Sequence, residues 1–438
     1  IGNSDGNFKK EYKSQYTANL NRNSDWETTA GTLGTTVLND DYTDNSYGIF
    51  SSINIDFATD TKTSKGIENG HQINLYKNVR NSIGVLAGGD GDGNDVIIKL
   101  GKGNVSINGG SDNTGIIVGG TNTSIAGTKS TDGKVTGDVI TINGDNRNDR
   151  GNRAIYAGNS ANNEVTVNAV VSTDATNSIT LVADKGAKIT VNDTASTPTI
   201  IGTSGVSTKA GVEITGSEFH HDTTRVNSDL TSKDNVGAAY ASGGGIININ
   251  RTSSTKPTSI ANISIKGGTD QQSKKKVGFG LFADGNNSKI NAQYNWIKVE
   301  DGSTNVASLN KAEIDLKGAT VEYKGEGYAL YTDSTSKTSG AINMNNAKLV
   351  LDGKAVGYVH YQDQPNMINV TGMGIDILDD DVIVSDLRKL SGRVSVDVEN
   401  NGAPNRLVDQ LLGSGVGTIT SSNGKSHYKY AVVDNADI

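Results

Sequence analysis

The chain has no cysteine in 438 residues, so neither disulfides nor thiolate metal sites enter the argument. It has only 4 prolines, so nearly every backbone N–H is free to donate to a strand ladder. Aromatic residues make up 5% and hydrophobic residues 34%, too few for one thick globular core of this length. No apolar run is long enough to cross a membrane as a helix. A formal charge of −8 argues against nucleic acid and acidic membrane as principal partners. The chain opens mid-pattern at Ile1 and stops at Ile438, which reads as a piece of something longer. Any export signal and anchor are then expected outside it.

What is present is 54 glycines, many Asn, Thr and Ser, and a six-residue phrase that returns nine times. Its clearest copy is Tyr328-Ala329-Leu330-Tyr331-Thr332-Asp333. Ile83-Gly84-Val85-Leu86-Ala87-Gly88, Gly237-Ala238-Ala239-Tyr240-Ala241-Ser242 and Phe279-Gly280-Leu281-Phe282-Ala283-Asp284 align with it. Tyr358-Val359-His360-Tyr361-Gln362-Asp363 also fits, and Ile179-Thr180-Leu181-Val182-Ala183-Asp184 fits loosely. The second place is small, the third aliphatic, the fourth large, and the sixth Asp, Gly or Ser. Measured at the fourth place, the steps are 36, 31, 39, 26, 58, 42, 49 and 30 residues. Steps of that size with variable insertions mark a solenoid, whose units bury apolar faces only by stacking. The steps of 49 and 58 hold either a long loop or an extra coil without the phrase.

A second phrase of alternating apolar residues closed by Asn follows, as in Ile140-Thr141-Ile142-Asn143, Val165-Thr166-Val167-Asn168 and Ile247-Asn248-Ile249-Asn250. Period two with β-branched residues is the signature of a half-buried strand. Ala347-Lys348-Leu349-Val350-Leu351 and Ile314-Asp315-Leu316 read as a third strand. Three strands and three turns need about two dozen residues. The reading is an all-β chain: a right-handed parallel β-helix with loop insertions. Disorder loses to it, because the polar residues sit at turns while the aliphatic residues keep their period. The frequent Asn is expected to take left-handed turns and to stack as amide ladders between coils. Residues 1–46 read as an irregular N-terminal coil or cap, 47–376 as the repeat array, and 377–438 as atypical C-terminal coils or a cap, with one or two helical turns at 407–412.

The stretches Gly327-Tyr328-Ala329-Leu330-Tyr331-Thr332-Asp333 and Gly278-Phe279-Gly280-Leu281-Phe282-Ala283-Asp284 resemble the passenger repeats of the large type Va autotransporter adhesins of fusobacteria. So does Gly340-Ala341-Ile342-Asn343-Met344. The resemblance covers roughly three quarters of the chain and rests on repeat style. It implies a passenger exported across the outer membrane by a C-terminal β-barrel of the parent chain. Such a passenger is displayed on the bacterial surface and binds host cells or other bacteria. The absence of Cys is compatible with a secreted chain that stays unfolded until it has crossed that membrane. The resemblance carries no functional-residue motif.

Residues fit for chemistry are few. Asp90, Asp92 and Asp95, in Asp90-Gly91-Asp92-Gly93-Asn94-Asp95, approach a calcium nonapeptide. No second copy follows, so a plain acidic turn is preferred. His220, His221 and Asp222, with Glu218, form the one His cluster. Adjacent His residues on a strand point to opposite faces, so both ligate one metal only from a loop. No cofactor is expected. Ser334-Thr335-Ser336-Lys337 matches Ser-x-x-Lys by chance in a polar turn, and no paired carboxylates or Ser/His/Asp set appear, so catalysis is not expected.

The aromatic fourth place has two readings: an outward tyrosine ladder that would make a sugar platform, or core stacking between coils. Core is preferred, which places Tyr328, Leu330, Tyr358 and His360 on the opposite face, towards solvent or ligand. Loops carry function on rigid scaffolds. Two stand out, 203–235 with the His pair and 266–276 with Lys274, Lys275 and Lys276. The candidate receptor contacts are therefore Lys274, Lys275, Lys276, His220, His221, Tyr328 and Tyr358. The favoured role is a monomeric surface adhesin binding a protein or glycan. The alternatives are a passive stalk of twelve to fourteen coils, roughly 60 Å long, and, least favoured, a carbohydrate-active enzyme.

Overall fold

The computed structural model describes residues 17–20, 43–44, 47–51, 55–56, 71–80, 83–87, 96–100, 103–111, 113–119, 133–137, 140–143, 153–168, 170–173, 179–192, 214–215, 237–251, 261–269, 276–332, 341–360, 368–369, 373–379, 382, 394–400 and 426–432. Every regular element among them is a strand. The strands form three long sheets, and within each sheet almost every neighbour is parallel. The chain visits the three sheets in turn and returns to the first one coil later, so it is a parallel β-helix.

The first sheet has ten strands: Tyr47–Ser51, Ile83–Ala87, Thr114–Val118, Arg153–Ala157, Ile179–Ala183, Gly237–Ser242, Phe279–Asp284, Thr304–Leu309, Gly327–Thr332 and Ala355–His360. These are the phrase strands. The second sheet also has ten strands, running from Ile55–Asp56 to Ile368–Asn369. The third sheet has 14 and extends further at both ends. Thr17–Leu20 pairs in parallel with His71–Arg80. Val394–Asn400 stacks in parallel on Met373–Ile377 and is itself covered by Ser426–Val432, running antiparallel. The segments outside 47–376 thus each lend strands to the third sheet, and the antiparallel strand occupies an edge that would otherwise template pairing. Residues 407–412 lie outside the described residues.

The two long steps resolve differently. Val182 pairs directly with Tyr240 and Asn192 with Asn250, so the 58-residue step is one coil with insertions. Between Phe282 and Tyr331, by contrast, stands the extra strand Thr304–Leu309. Its Asn305 and Ala307 replace the small and large residues of the phrase, which hid it. Among coils with described strands on all three sheets the shortest has 24 residues, as in the separation of the partners Lys289 and Glu313. Among the described residues ten phrase strands stack on the first sheet and twelve strands stack in parallel along the third. At about 4.8 Å per step the third sheet spans roughly 53 Å and reaches the lower end of the twelve to fourteen coils expected.

Three strand assignments need correction. Ile140–Asn143 belongs to the third sheet, and the second strand of its coil is Gly133–Gly137. Glu313–Asp315 belongs to the second sheet, while the third strand there is Thr320–Lys324. Apolar alternation is the same on both sheets, so it cannot tell them apart. The last phrase is displaced by two residues: Tyr358 pairs with Leu330 and Val359 with Tyr331. The phrase there is Val356-Gly357-Tyr358-Val359-His360.

The core is a column of aliphatic side chains filling the interior from all three sheets. Ile189, Ile247, Ile290 and Ile314 from the second sheet meet Ile297, Val321, Leu349 and Ile375 from the third, all essentially buried. Each is worth about 1.5–3 kcal/mol relative to exposure. Tyr323 is the largest fully buried side chain, and its hydroxyl donates to the Gly302 carbonyl at 2.6 Å. Burial, reinforced by the carboxylates of Asp301 and Glu326, raises its pKa far above that of an ordinary phenol.

The first-sheet strands bend at the second place. Their registers pair places one, three, four and five, and skip place two. Places two and three therefore both face the interior: Ala154 and Ile155, Ala238 and Ala239, Ala329 and Leu330 all join the central core. The bend explains the small second residue. A Cβ on Gly84 would lie 2.6 Å from the Gly115 carbonyl oxygen. A Cβ on Gly280 would lie 2.8 Å from the Asn305 carbonyl oxygen and 2.8 Å from Ile297 Cγ2. In the one strand with Asn at this place, Asn305 Nδ2 crosses the corner to donate to the carbonyls of Glu322 at 2.7 Å and Ile297 at 3.2 Å.

Asparagine does two jobs in different places. Those closing strands form extended ladders: Asn250 Nδ2 donates to Asn192 Oδ1 at 2.9 Å and Asn291 Nδ2 to Asn248 Oδ1 at 2.6 Å. Those in turns take the left-handed conformation, such as Asn346 at φ 52°. The equivalent residue one coil earlier is Gly318 at φ 67°, where a Cβ would stand 2.6 Å from Tyr294 Cδ1.

Gly280→Val is expected to cost about 1–3 kcal/mol by overpacking, read as a lower denaturant midpoint. An unchanged midpoint would contradict the inward bend. Tyr323→Phe is expected to cost about 1 kcal/mol for the lost hydrogen bond, measured in the same way.

Candidate binding surfaces

The three exterior faces differ in chemistry. On the third sheet, Lys266, Glu300, Lys324 and Asp352 stack in register with alternating sign. Lys298 Nζ lies 2.7 Å from Glu300 and 3.4 Å from Glu322, Lys324 lies 3.1 Å from Asp352, and Lys348 pairs with Asp376. Trp296 Nε1 donates to the other oxygen of Glu322 at 3.0 Å. Burial alone would lower the Lys298 pKa, but Glu300 and Glu322 outweigh it and raise the pKa. The hydrogen bond that Lys324 donates to Asp352 raises the pKa of Lys324. The second sheet repeats the device: Lys188 meets Glu164 at 2.9 Å, Lys289 meets Glu313 at 2.7 Å, and the register place between the two lysines holds uncharged Ile246. Beside these pairs run the Asn ladder and the Asn343–Asp315 hydrogen bond of 2.9 Å. Single exposed pairs are weak, but a ladder of opposite charges penalises slipped register, where like charges would meet.

The first sheet is different. Across its ten strands, places one and four hold no carboxylate and a single cation, Arg153. The fourth place is largely buried and stacks from coil to coil, as the core reading has it, but not in the central core. Because of the bend, places three and five point inward, whereas places one and four point out and pack into clusters separate from the central core. One cluster holds Ile83, Leu86 and Ile117. The other holds Ile179, Val182, Phe279, Phe282 and Ala307, with Tyr156, Tyr240, Leu309 and Tyr331 packed against it. Rings meet between neighbouring rungs, Tyr240 with Phe282 at 5.4 Å, and within one strand, Phe279 with Phe282 at 5.5 Å and Tyr328 with Tyr331 at 5.8 Å. The Arg153 guanidinium lies 5.7 Å over the Tyr156 ring. Burial and Asp184 raise the Tyr156 pKa, with Arg153 opposing them.

This geometry separates residues expected on one face. Tyr328 is 40% exposed, whereas Leu330 is 1% exposed in the central core. Tyr358 takes the register place of Leu330, not that of Tyr328. Alternation could not reveal this, since a bend at a small residue leaves no mark in the polarity pattern.

Topology brings the two conspicuous insertions together. The stretch 203–235, expected as one loop, is divided by Ile214–Thr215 of the third sheet, and residues 216–236 run from there to the first sheet at Gly237. Residues 267–278 leave the third sheet after Lys266 and enter the first at Phe279. Their anchors are direct partners, Thr215 with Ser264 and Gly237 with Phe279. Both therefore open from one corner on adjacent coils. The shorter insertion starts as a hairpin in which Gly268–Thr269 pairs antiparallel with Lys276–Val277, and Lys276 is half-buried. Lys274, Lys275, His220, His221 and Asp222 lie outside the described residues, as do Asp90, Asp92 and Asp95. Among the described residues no group of three or more His, Asp or Glu is arranged to hold a metal ion, and no helix is long and apolar enough to cross a membrane.

No protein-family model, curated protein or solved structure matches the chain.

Replacing Lys298 by Met is expected to cost about 0.5–1 kcal/mol at pH 8. The raised pKa sets the window: the contribution is full below the ordinary lysine value of about 10.4 and is lost as pH rises through the folded value. The gap between parent and variant denaturation midpoints should hold to about pH 10 and close above it.

Proposed function

We propose that the chain is a passenger segment of a bacterial surface adhesin that binds a receptor on host cells or partner bacteria. The observation that carries this reading is that two insertions, 216–236 and 267–278, open from one corner on adjacent coils. A spacer gains nothing from such insertions, whereas a rigid scaffold presents binding residues on them. The repeat style supports the wider setting: a monomeric passenger displayed outside the outer membrane, its parent chain anchored by a C-terminal β-barrel. The receptor is a surface protein or glycan.

The role is non-catalytic in this reading. Carboxylates on the described faces are engaged by neighbouring coils: Asp315 by Asn343, Asp284 by Asn310 at 2.7 Å, Asp184 by Ser242 at 3.0 Å, and Glu322 by Trp296 and Lys298. These four carboxylates serve the stacking of the coils. A second reading, the passive stalk, draws on the self-satisfied ladders of the second and third sheets, which leave those faces little to offer a ligand.

The test is binding of the 438-residue chain to host cells and partner bacteria, beside a variant in which residues 217–234 become a short Gly/Ser turn. That replacement spares the strand Ile214–Thr215 and the anchor Gly237. Saturable binding that falls at least about tenfold in the variant, roughly 1.4 kcal/mol, is the expected result. A folded chain that binds no cell would establish the stalk instead.

A further inference from the structure

We infer that the exterior of the first sheet binds neutral saccharides, with the Tyr328–Tyr331 pair as its stacking site. This deepens the adhesin reading and rests on it for biological context only. Three observations converge. The other two faces are ionic and amide ladders satisfied from coil to coil, whereas places one and four of this sheet carry no carboxylate. Apart from Arg153 and the strand-end carboxylates Asp184 and Asp284, these two columns suit an uncharged ligand rather than an acidic glycan or charged peptide.

The second observation is how residue types divide along the face. Where it is sealed, it is hydrocarbon: Ile83, Leu86, Phe279 and Phe282 are 3% exposed or less. Where it opens, it is tyrosine, with Tyr328 40% exposed and Tyr331 half-buried. A phenol combines an apolar ring face with a hydroxyl that stays hydrated. A pyranose has the complementary make-up, with C–H groups on one face and hydroxyls around the rim.

The third observation is geometric. Tyr328 and Tyr331 stand 5.8 Å apart with ring planes 46° from each other. The pair thus forms an open V, not a closed stack. The adjoining rung carries the small side chains Thr304 and Ala307, partners of Tyr328 and Tyr331. Both are buried, Thr304 at 4% and Ala307 at 1% exposure, and Tyr331 packs against the cluster that holds Ala307. The backbone beneath is fixed by registers on both sides, so the rings are held by rigid strands rather than a loop.

The experiment is ligand-observed saturation-transfer NMR on the 438-residue chain with cellobiose, lactose and maltotriose, and with sialyllactose and a heparin oligosaccharide as charged controls. At least one neutral sugar should bind, and the charged controls should not bind better. Tyr328→Ala should weaken binding at least about tenfold, and Tyr328→Phe should retain it, with circular dichroism and thermal midpoint unchanged in both. No transfer from any neutral sugar overturns the proposal, as does binding indifferent to Tyr328→Ala. A dimer in light scattering that Tyr328→Ala dissociates, without sugar binding, assigns the face to self-association and also overturns it. Sugar binding without cell binding would leave this site standing and remove the adhesin role, so the two failures are distinguishable.

Discussion

Everything in this molecule depends on one constraint: each coil lies in register on the coil before it, about 4.8 Å away. That pairing satisfies the backbone of strands too short to be stable alone. It also turns every residue choice into a column. An inward column must be apolar at every level, so isoleucine stacks on isoleucine from Ile189 to Ile314. An outward column must avoid equal charges on adjacent levels, so Lys266, Glu300, Lys324 and Asp352 alternate. With only 34% hydrophobic residues the chain still has a continuous core, because a thin core is repeated many times.

The architecture was legible because stacking imposes recurrence, and recurrence survives in the sequence. The alternation in Ile247-Asn248-Ile249-Asn250 gave both strand and buried face. The bend in the first sheet was not legible in the same way. Its only trace is a small residue at place two, and the apparent alternation of places two and four suggested one shared face. In space, Ala329 and Leu330 both turn inward and Tyr331 turns out. The strand Thr304–Leu309 was missed because Asn305 and Ala307 disguise it. Only its partners on either side identify it. The chain's two kinds of long step differ for the same reason: a sequence records distance along the chain, not which strand is the next neighbour.

The candidate site was legible in part. Both conspicuous insertions were visible as interruptions of the repeat. Their convergence on one corner was not, because it depends on which sheet each leaves and enters. The exterior of the first sheet completes a division of labour among the faces. Two faces spend their polar groups on their neighbours, holding register and resisting lateral association. The third keeps a partly aromatic surface whose first and fourth places carry no carboxylate, beside the corner from which the insertions open. In the function proposed here, binding and scaffold roles fall on different columns of the same coil.

The most direct test of this account uses the absence of native cysteine. Asn192 and Asn250 are 58 residues apart in sequence but direct partners on the second sheet. Cysteines at both positions should form a disulfide readily under mild oxidation, since neighbouring strands bring their Cα atoms within bonding range. Cysteines at Asn192 and Ile246 should not, because Ile246 partners Lys188, four residues back along the strand. Cross-linking confined to the first pair would establish that the long coil closes directly on its predecessor. Equal cross-linking of both pairs, or of neither, would contradict the in-register stack on which the whole account stands.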